Sequence, residues 1–146
     1  MNRYPLLIML FFLALSWPLS LILPTEQINL APIKVVGYTL FIIGIPLLLS
    51  AAGLFKKIGT TIDPTKAPDQ LVTTGIYNLS RNPMYLGMLL ILTGAQLALS
   101  SLIGMIFPII FFFIMNKIVI PREEQMVAGA FGREYDDYKM QTRRWI

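Results

Sequence analysis

The side chains able to do chemistry are gathered in two short runs. The first is Leu71-Val-Thr-Thr-Gly-Ile-Tyr-Asn-Leu-Ser-Arg-Asn-Pro-Met-Tyr-Leu-Gly87 and the second is Pro121-Arg122-Glu123-Glu124. The chain has no cysteine and no histidine, which excludes thiol nucleophiles, disulfides, imidazole bases and the usual zinc or haem ligands. Any chemistry must therefore use carboxylates, Arg, Lys, Tyr or Asn. Glu123 and Glu124 are the nearest candidates for a base. Neighbours on a helix point about 100° apart, so one of the two faces a given site. Arg81, together with free N–H groups at a helix start, has the chemistry to hold an anion.

Each run also has a purely structural explanation. Asn82 sits where a helix cap belongs, Pro83 where a first helical residue belongs, and Gly75 where a turn belongs, while Arg81 and Tyr85 suit a lipid interface. Pro121 can likewise start a helix whose first-turn acids complement the macrodipole. Taken singly, the runs decide nothing.

The elements that place them are membrane spans. The composition, 55% hydrophobic against 14% charged over 146 residues, is too apolar for a soluble domain. Charges are absent from Tyr4 to Leu23, from Val35 to Phe55 and from Met84 to Asn116. A spanning helix needs about 20 apolar residues, and a charge at its centre costs about 2.5–3.5 kcal/mol on insertion scales. The first apolar run follows Arg3 but is longer than a signal core and ends in Leu-Pro-Thr-Glu without an A-x-A-like site, so it reads as a span. The last uncharged stretch, 33 residues, would reach about 50 Å as one helix, so it must break, best at Leu99-Ser100-Ser101. The expected architecture is an all-α polytopic membrane protein. It has four spans in two hairpins (about 4–23, 33–55, 84–99 and 102–120), a loop at 56–83 and a helical tail at 121–146. Gly37, Gly44 and Ala51 recur every seven residues, and Gly87, Gly94 and Ala98 share a face, which predicts close helix packing.

Basic residues orient these spans. Eleven of the twelve, namely Arg3, Lys56, Lys57, Lys66, Arg81, Lys117, Arg122, Arg133, Lys139, Arg143 and Arg144, fall on one side and Lys34 alone on the other. That side is expected to be cytoplasmic, in the cell membrane, with both termini and the site there. The net charge of +4 belongs to these flanks, so no nucleic-acid partner is expected. Phe131, Tyr135 and Tyr138 at helical spacing make the tail a helix beside the membrane, with Arg144 and Trp145 as headgroup anchors.

The order of the segments, LVTTGIYNLSRNPMYLG, an uncharged helical hairpin, REEQ, FGREYDDY and RRW, resembles the isoprenylcysteine carboxyl methyltransferase family and its phospholipid methyltransferase relatives, over about Gly59 to Ile146. The family's Arg-His-Pro-x-Tyr-x-Gly appears here as Arg81-Asn82-Pro83-Met84-Tyr85-Leu86-Gly87, so an amide that cannot titrate replaces an imidazole. The resemblance implies a membrane methyltransferase that binds S-adenosylmethionine at the cytoplasmic face. It also implies a lipophilic or small acceptor arriving from the lipid bilayer. Carried over residue by residue, it puts Leu71, Val72, Gly75, Tyr77, Arg81, Asn82, Pro83, Tyr85, Glu124 and Tyr135 at the cofactor, and Arg122 and Glu123 at the reacting groups. A tyrosine face beside the sulfonium would add about 0.5–2 kcal/mol of cation–π attraction. The soluble methyltransferase fold is excluded, since no G-x-G occurs in the chain. Two other functions fit the same elements: an NADPH-dependent membrane reductase, and a non-catalytic membrane protein of the same fold. No metal is expected.

Because native cysteine is absent, single cysteines at Gln27, Ser100, Lys66 and Gln141 report topology cleanly. K66C and Q141C are expected to label from the cytoplasm and Q27C and S100C from the opposite side; S100C and K66C labelling from one side would overturn the four-span arrangement.

Overall fold

The computed structural model describes residues 4–22, 31–59 and 69–146, and among them every regular element is helical. Arg3, Lys66, residues 23–30 of the first connection and residues 60–68 of the long loop lie outside the described residues. The elements are α1 (Tyr4–Ile22), α2 (Ala31–Ile58), a 3-10 turn (Gly75–Asn78), α3 (Pro83–Ala98) and then one long helix, Ile103–Phe131. That long helix contains α4 (Ile106–Ile114), a π turn (Met115–Val119) and α5 (Ile120–Phe131), and α6 (Arg133–Gln141) follows it. The protein is a polytopic all-α membrane protein. Helices α1, α2 and Ile103–Phe131 are long and apolar enough to cross a bilayer.

Helix α3, with 16 residues, reaches only about 24 Å. It is the central helix, packed on α2 along its length and touched by α1 and α4. Leu92 and Gln96 are fully enclosed there, and Ser80 and Pro83 at one end and Ser100 and Ser101 at the other are buried, which covers its irregular flanks. The uncharged stretch breaks after Ala98, where Ser100 adopts φ 54°, a left-handed turn that a short hydroxyl side chain tolerates.

Helices α2 and α3 approach backbone to backbone. A Cβ on Gly94 would lie 2.5 Å from Phe41 N and 2.6 Å from Gly37 O, and one on Gly44 would lie 2.8 Å from Gly87 O. Only glycine leaves room for this antiparallel contact, which lets dispersion and weak C–H···O contacts hold two helices together where lipid removes the hydrophobic drive. Helix α1 does not pair chiefly with α2, its neighbour in sequence, but rests on α3 and α4. Phe12 stacks on Phe107 at 5.1 Å, and Gln96 Nε2 donates to Ser16 Oγ in a buried polar bond. The small-residue face of α2 is taken by α3, which leaves α1 the other flank of α3.

At the far end of the long helix the chain does not stop at Pro121. Ile120 N–H donates to Met115 O, five residues back, and the helix continues into α5. Proline lacks the N–H and its ring crowds the carbonyl four residues earlier; widening the preceding turn to π geometry removes that clash and keeps the rod unbroken. The structural explanation of Pro121 as a helix start with capping acids therefore does not hold. Glu123 and Glu124 lie one turn into a continuing helix.

Two glycines separate packing from propensity. G94A is expected to lower the thermal stability in detergent by about 1–3 kcal/mol through helix separation. G53A, where a Cβ meets nothing within 4 Å, is expected to be neutral or stabilising by up to about 1 kcal/mol. Equal melting temperatures for the two variants would rule out the backbone contact.

Candidate active site

Four segments meet at one end of the bundle: the start of α3, the polar turn of the long helix, α6, and the final residues 142–146. A positive φ of 51° at Gly132, with ψ −118°, turns the chain between α5 and α6 and sends α6 back toward α3. Tyr138 Oη then donates to Tyr77 O at 2.6 Å, locking α6 to the 3-10 turn. Beyond α6, Arg81 N–H donates to Arg143 O at 3.0 Å and Ser80 Oγ to Arg144 O at 3.3 Å, so the C-terminal strap lies along the approach to α3.

The strap completes a charge cluster. Arg81 Nη2 meets Glu124 Oε1 at 2.9 Å, while Arg144 Nε reaches the same oxygen at 3.2 Å and Arg144 Nη2 binds Glu124 Oε2. Arg81 Nη1 is spent on carbonyls, donating to Thr142 O at 2.9 Å and Lys139 O at 3.3 Å. The side chains of Arg81 and Glu124 are 12% and 18% exposed, so this pair is weakly screened compared with a surface ion pair. One carboxylate between two guanidiniums leaves the cluster with a net positive charge. Arg81 Nε is buried with no hydrogen-bond partner among the described residues.

Glu123 points elsewhere. Tyr85, on the first turn of α3, donates its hydroxyl to Glu123 Oε1 at 2.6 Å. Glu123 lies past the apolar part of the long helix, and burial pushes its carboxyl up to about 7, the Tyr85 hydrogen bond pulling it down and Glu124 adding to the rise. A carboxyl near 7 exchanges protons at neutral pH.

Of the residues singled out from the sequence, Arg81, Asn82, Tyr85, Glu123 and Glu124 come together here. Asn82 occupies the cap position of α3 but makes no side-chain cap bond; its Nδ2 donates to Arg144 O at 3.0 Å, and Pro83 takes the first helical position as expected. Gly75 opens the 3-10 turn at φ 63°, Val72 and Tyr77 are buried with Ala51 of α2, and Leu71 is half-buried in the irregular chain before them. The Tyr77 hydroxyl is buried without a partner among the described residues. Tyr135 is buried; its phenol is pushed up to about 12 by burial and by Glu124, while Arg81 and Arg144 pull it down, which places it within the cluster's field. Arg122 is not brought in: it is exposed and makes no ion pair or side-chain hydrogen bond among the described residues. Sequence reasoning missed Asn116 and Thr142, and read Arg144 and Trp145 as headgroup anchors. The strap turns both inward, because the partly buried Glu124 carboxylate and the Asn116 side chain accept their donors.

The cluster's coupling is measurable. E124Q and R81A are each expected to cost about 1.5–3 kcal/mol of thermal stability, and the double variant less than their sum, because either change alone already removes the ion pair they share. Additive losses would mean that the two side chains do not interact.

Several proteins are similar to part of this chain. A 63-residue uncharacterized protein of Haemophilus influenzae is 41% identical over its whole length, covering 43% of this chain. A probable protein-S-isoprenylcysteine O-methyltransferase of Oryza sativa subsp. indica is 36% identical over 70 residues, and the protein-S-isoprenylcysteine O-methyltransferase of Saccharomyces cerevisiae is 38% identical over 72. Each of these two matches covers 47% of this chain but only 36% and 29%, respectively, of the relative. The phospholipid methyltransferase family profile matches residues 33–134, well over half of the chain and inclusive of Arg81, Tyr85, Glu123 and Glu124. The chain belongs to the phospholipid methyltransferase family.

Proposed function

We propose that this protein is an S-adenosylmethionine-dependent methyltransferase of the cell membrane, with its site and both termini on the cytoplasmic side. The observation that carries the proposal is the Arg81–Glu124–Arg144 cluster, set beside a Tyr85–Glu123 pair at the polar end of the spans. Its donors and acceptors fit the amino-acid end of that cofactor. Two guanidiniums and the unpartnered Arg81 Nε suit a carboxylate, and Glu124 suits an ammonium. The buried Tyr77 hydroxyl and the Tyr135 ring offer further contacts to the rest of it. To the same cofactor we assign Leu71, Val72, Gly75, Asn82 and Pro83.

When bound, S-adenosylmethionine supplies a methyl group on a sulfonium, open to attack by an acceptor's lone pair, with the C–S bond electrons returning to sulfur. The chain's part is to orient both reactants and receive a proton. Glu123, half-buried and poised near neutrality, takes the proton of an amine, hydroxyl or thiol acceptor, and Tyr85 holds the resulting carboxyl in place. A carboxylate acceptor needs no such transfer. Arg122, exposed at the membrane end, orients a polar or anionic acceptor head. The acceptor is lipophilic or small and arrives from the bilayer; the isoprenylcysteine named for the rice and yeast relatives is one instance of that class.

Calorimetry of the purified protein with S-adenosylmethionine, S-adenosylhomocysteine and NADPH tests the assignment. Binding of the first two and not the third is expected, and NADPH binding alone would overturn it. E124Q should weaken S-adenosylmethionine binding about ten- to a hundredfold, whereas R122A should lower turnover with affinity near wild type.

The Glu123 assignment has its own pH signature with an acceptor that must lose a proton. Turnover should rise as pH passes through about 7, the value set for Glu123. Because the Tyr85 hydrogen bond lowers that value, Y85F should move the acid limb to higher pH. A limb that stays in place would remove Glu123 from the proton path.

A further inference from the structure

Asn116 is the last polar side chain before the charged turn of the long helix, and the methyltransferase reading gives it no part. Its backbone carbonyl is without a helical donor for a specific reason. Ile120 N–H, which would serve it in a regular helix, is drawn back to Met115 O, and the next residue is Pro121, which has no N–H. Arg144 Nη1 fills this vacancy, 3.4 Å from Asn116 O and 3.3 Å from Asn116 Oδ1. Trp145 Nε1 donates to the same Oδ1 at 3.1 Å, and its ring packs on Phe112, one turn back, at 5.1 Å. Two consecutive strap residues are thus held at one position of the π turn. Arg144 spans from there to Glu124, using its remaining donors.

We propose that Asn116 is a positioning residue: presented by the π turn that Pro121 imposes, it docks the C-terminal strap and holds Arg144 on Glu124, and so acts on donor binding through Arg144. A satisfied polar residue with no further role would need one partner. Asn116 instead takes donors from both side chains that close the strap, one of which belongs to the charge cluster. The docking stands on the geometry alone; its consequence for the methyl donor rests on the function proposed above.

The chain has two tryptophans, Trp17 and Trp145, so a W17F background leaves Trp145 as the only fluorophore of its kind. Strap docking can then be read with no cofactor present, from the emission maximum and acrylamide quenching, alongside calorimetry with S-adenosylmethionine and S-adenosylhomocysteine and thermal melting in detergent. N116L should shift Trp145 to the red, raise its quenching and weaken S-adenosylmethionine binding about tenfold or more. N116D, which keeps the acceptor oxygens, should leave both near the starting protein. P121A returns a donor to the helix and should loosen Trp145 without lowering the melting temperature, a separation that a merely structural role would not produce.

Unchanged Trp145 quenching in N116L would overturn the docking. Loosened Trp145 with unchanged cofactor affinity would overturn the positioning role. If the W17F protein itself binds neither cofactor form, the methyltransferase reading fails, and Trp145 still decides whether Asn116 docks the strap.

Discussion

Glu124 holds the polar end of this protein together, because a carboxylate one turn past the apolar part of a long helix is too enclosed to stay unpaired. Its two oxygens draw in Arg81 from the start of α3 and Arg144 from the end of the chain, three segments distant in sequence. Arg81 in turn collects the carbonyls of Thr142 and Lys139, and its backbone N–H takes Arg143 O. Removing Glu124 leaves two guanidiniums without their counter-ion, which is why the cluster acts as a unit rather than as a set of independent contacts.

The apolar half supplies the rigidity that this arrangement needs. With lipid on the outside, burial of hydrocarbon does little to hold helices together, and the α2–α3 pair relies on glycines that bring backbones into contact. That contact sets the level of the α3 start, hence of Arg81 and Tyr85, against the long helix that carries both acids. The π turn at Met115–Val119 sets the angular position of Asn116 and keeps the helix running through Pro121. Had the helix broken there, the two acids would have capped a new helix start. In the unbroken rod Glu124 turns to the guanidiniums and Glu123 to Tyr85.

The two acids are adjacent in sequence and differ in chemistry because their surroundings differ. Glu124 is matched by opposite charges, the guanidiniums of Arg81 and Arg144. Glu123 has a neutral hydroxyl as partner in a largely apolar setting, so its proton is loosely held near neutral pH. In the function proposed above, the first grips the cofactor and the second exchanges a proton.

Much of this was legible in the sequence. Long uncharged runs can only be spans, a 33-residue run must break, the small residues of α2 and α3 mark their own contact face, and the absence of Cys and His narrows the chemistry to carboxylate, guanidinium, phenol and amide. These are local or compositional constraints, set by the bilayer's thickness and by residue chemistry. The tertiary structure alone decided that α1 rests on α3 and not on α2, that Pro121 widens a helix instead of starting one, and that Asn82 reaches the strap instead of capping α3. It also decided that Arg144 and Trp145 turn inward while Arg122 stays exposed. Each of these depends on which distant donor reaches a buried acceptor, and that is fixed by the packing of helices against one another, for which no local spacing in the chain carries a signal.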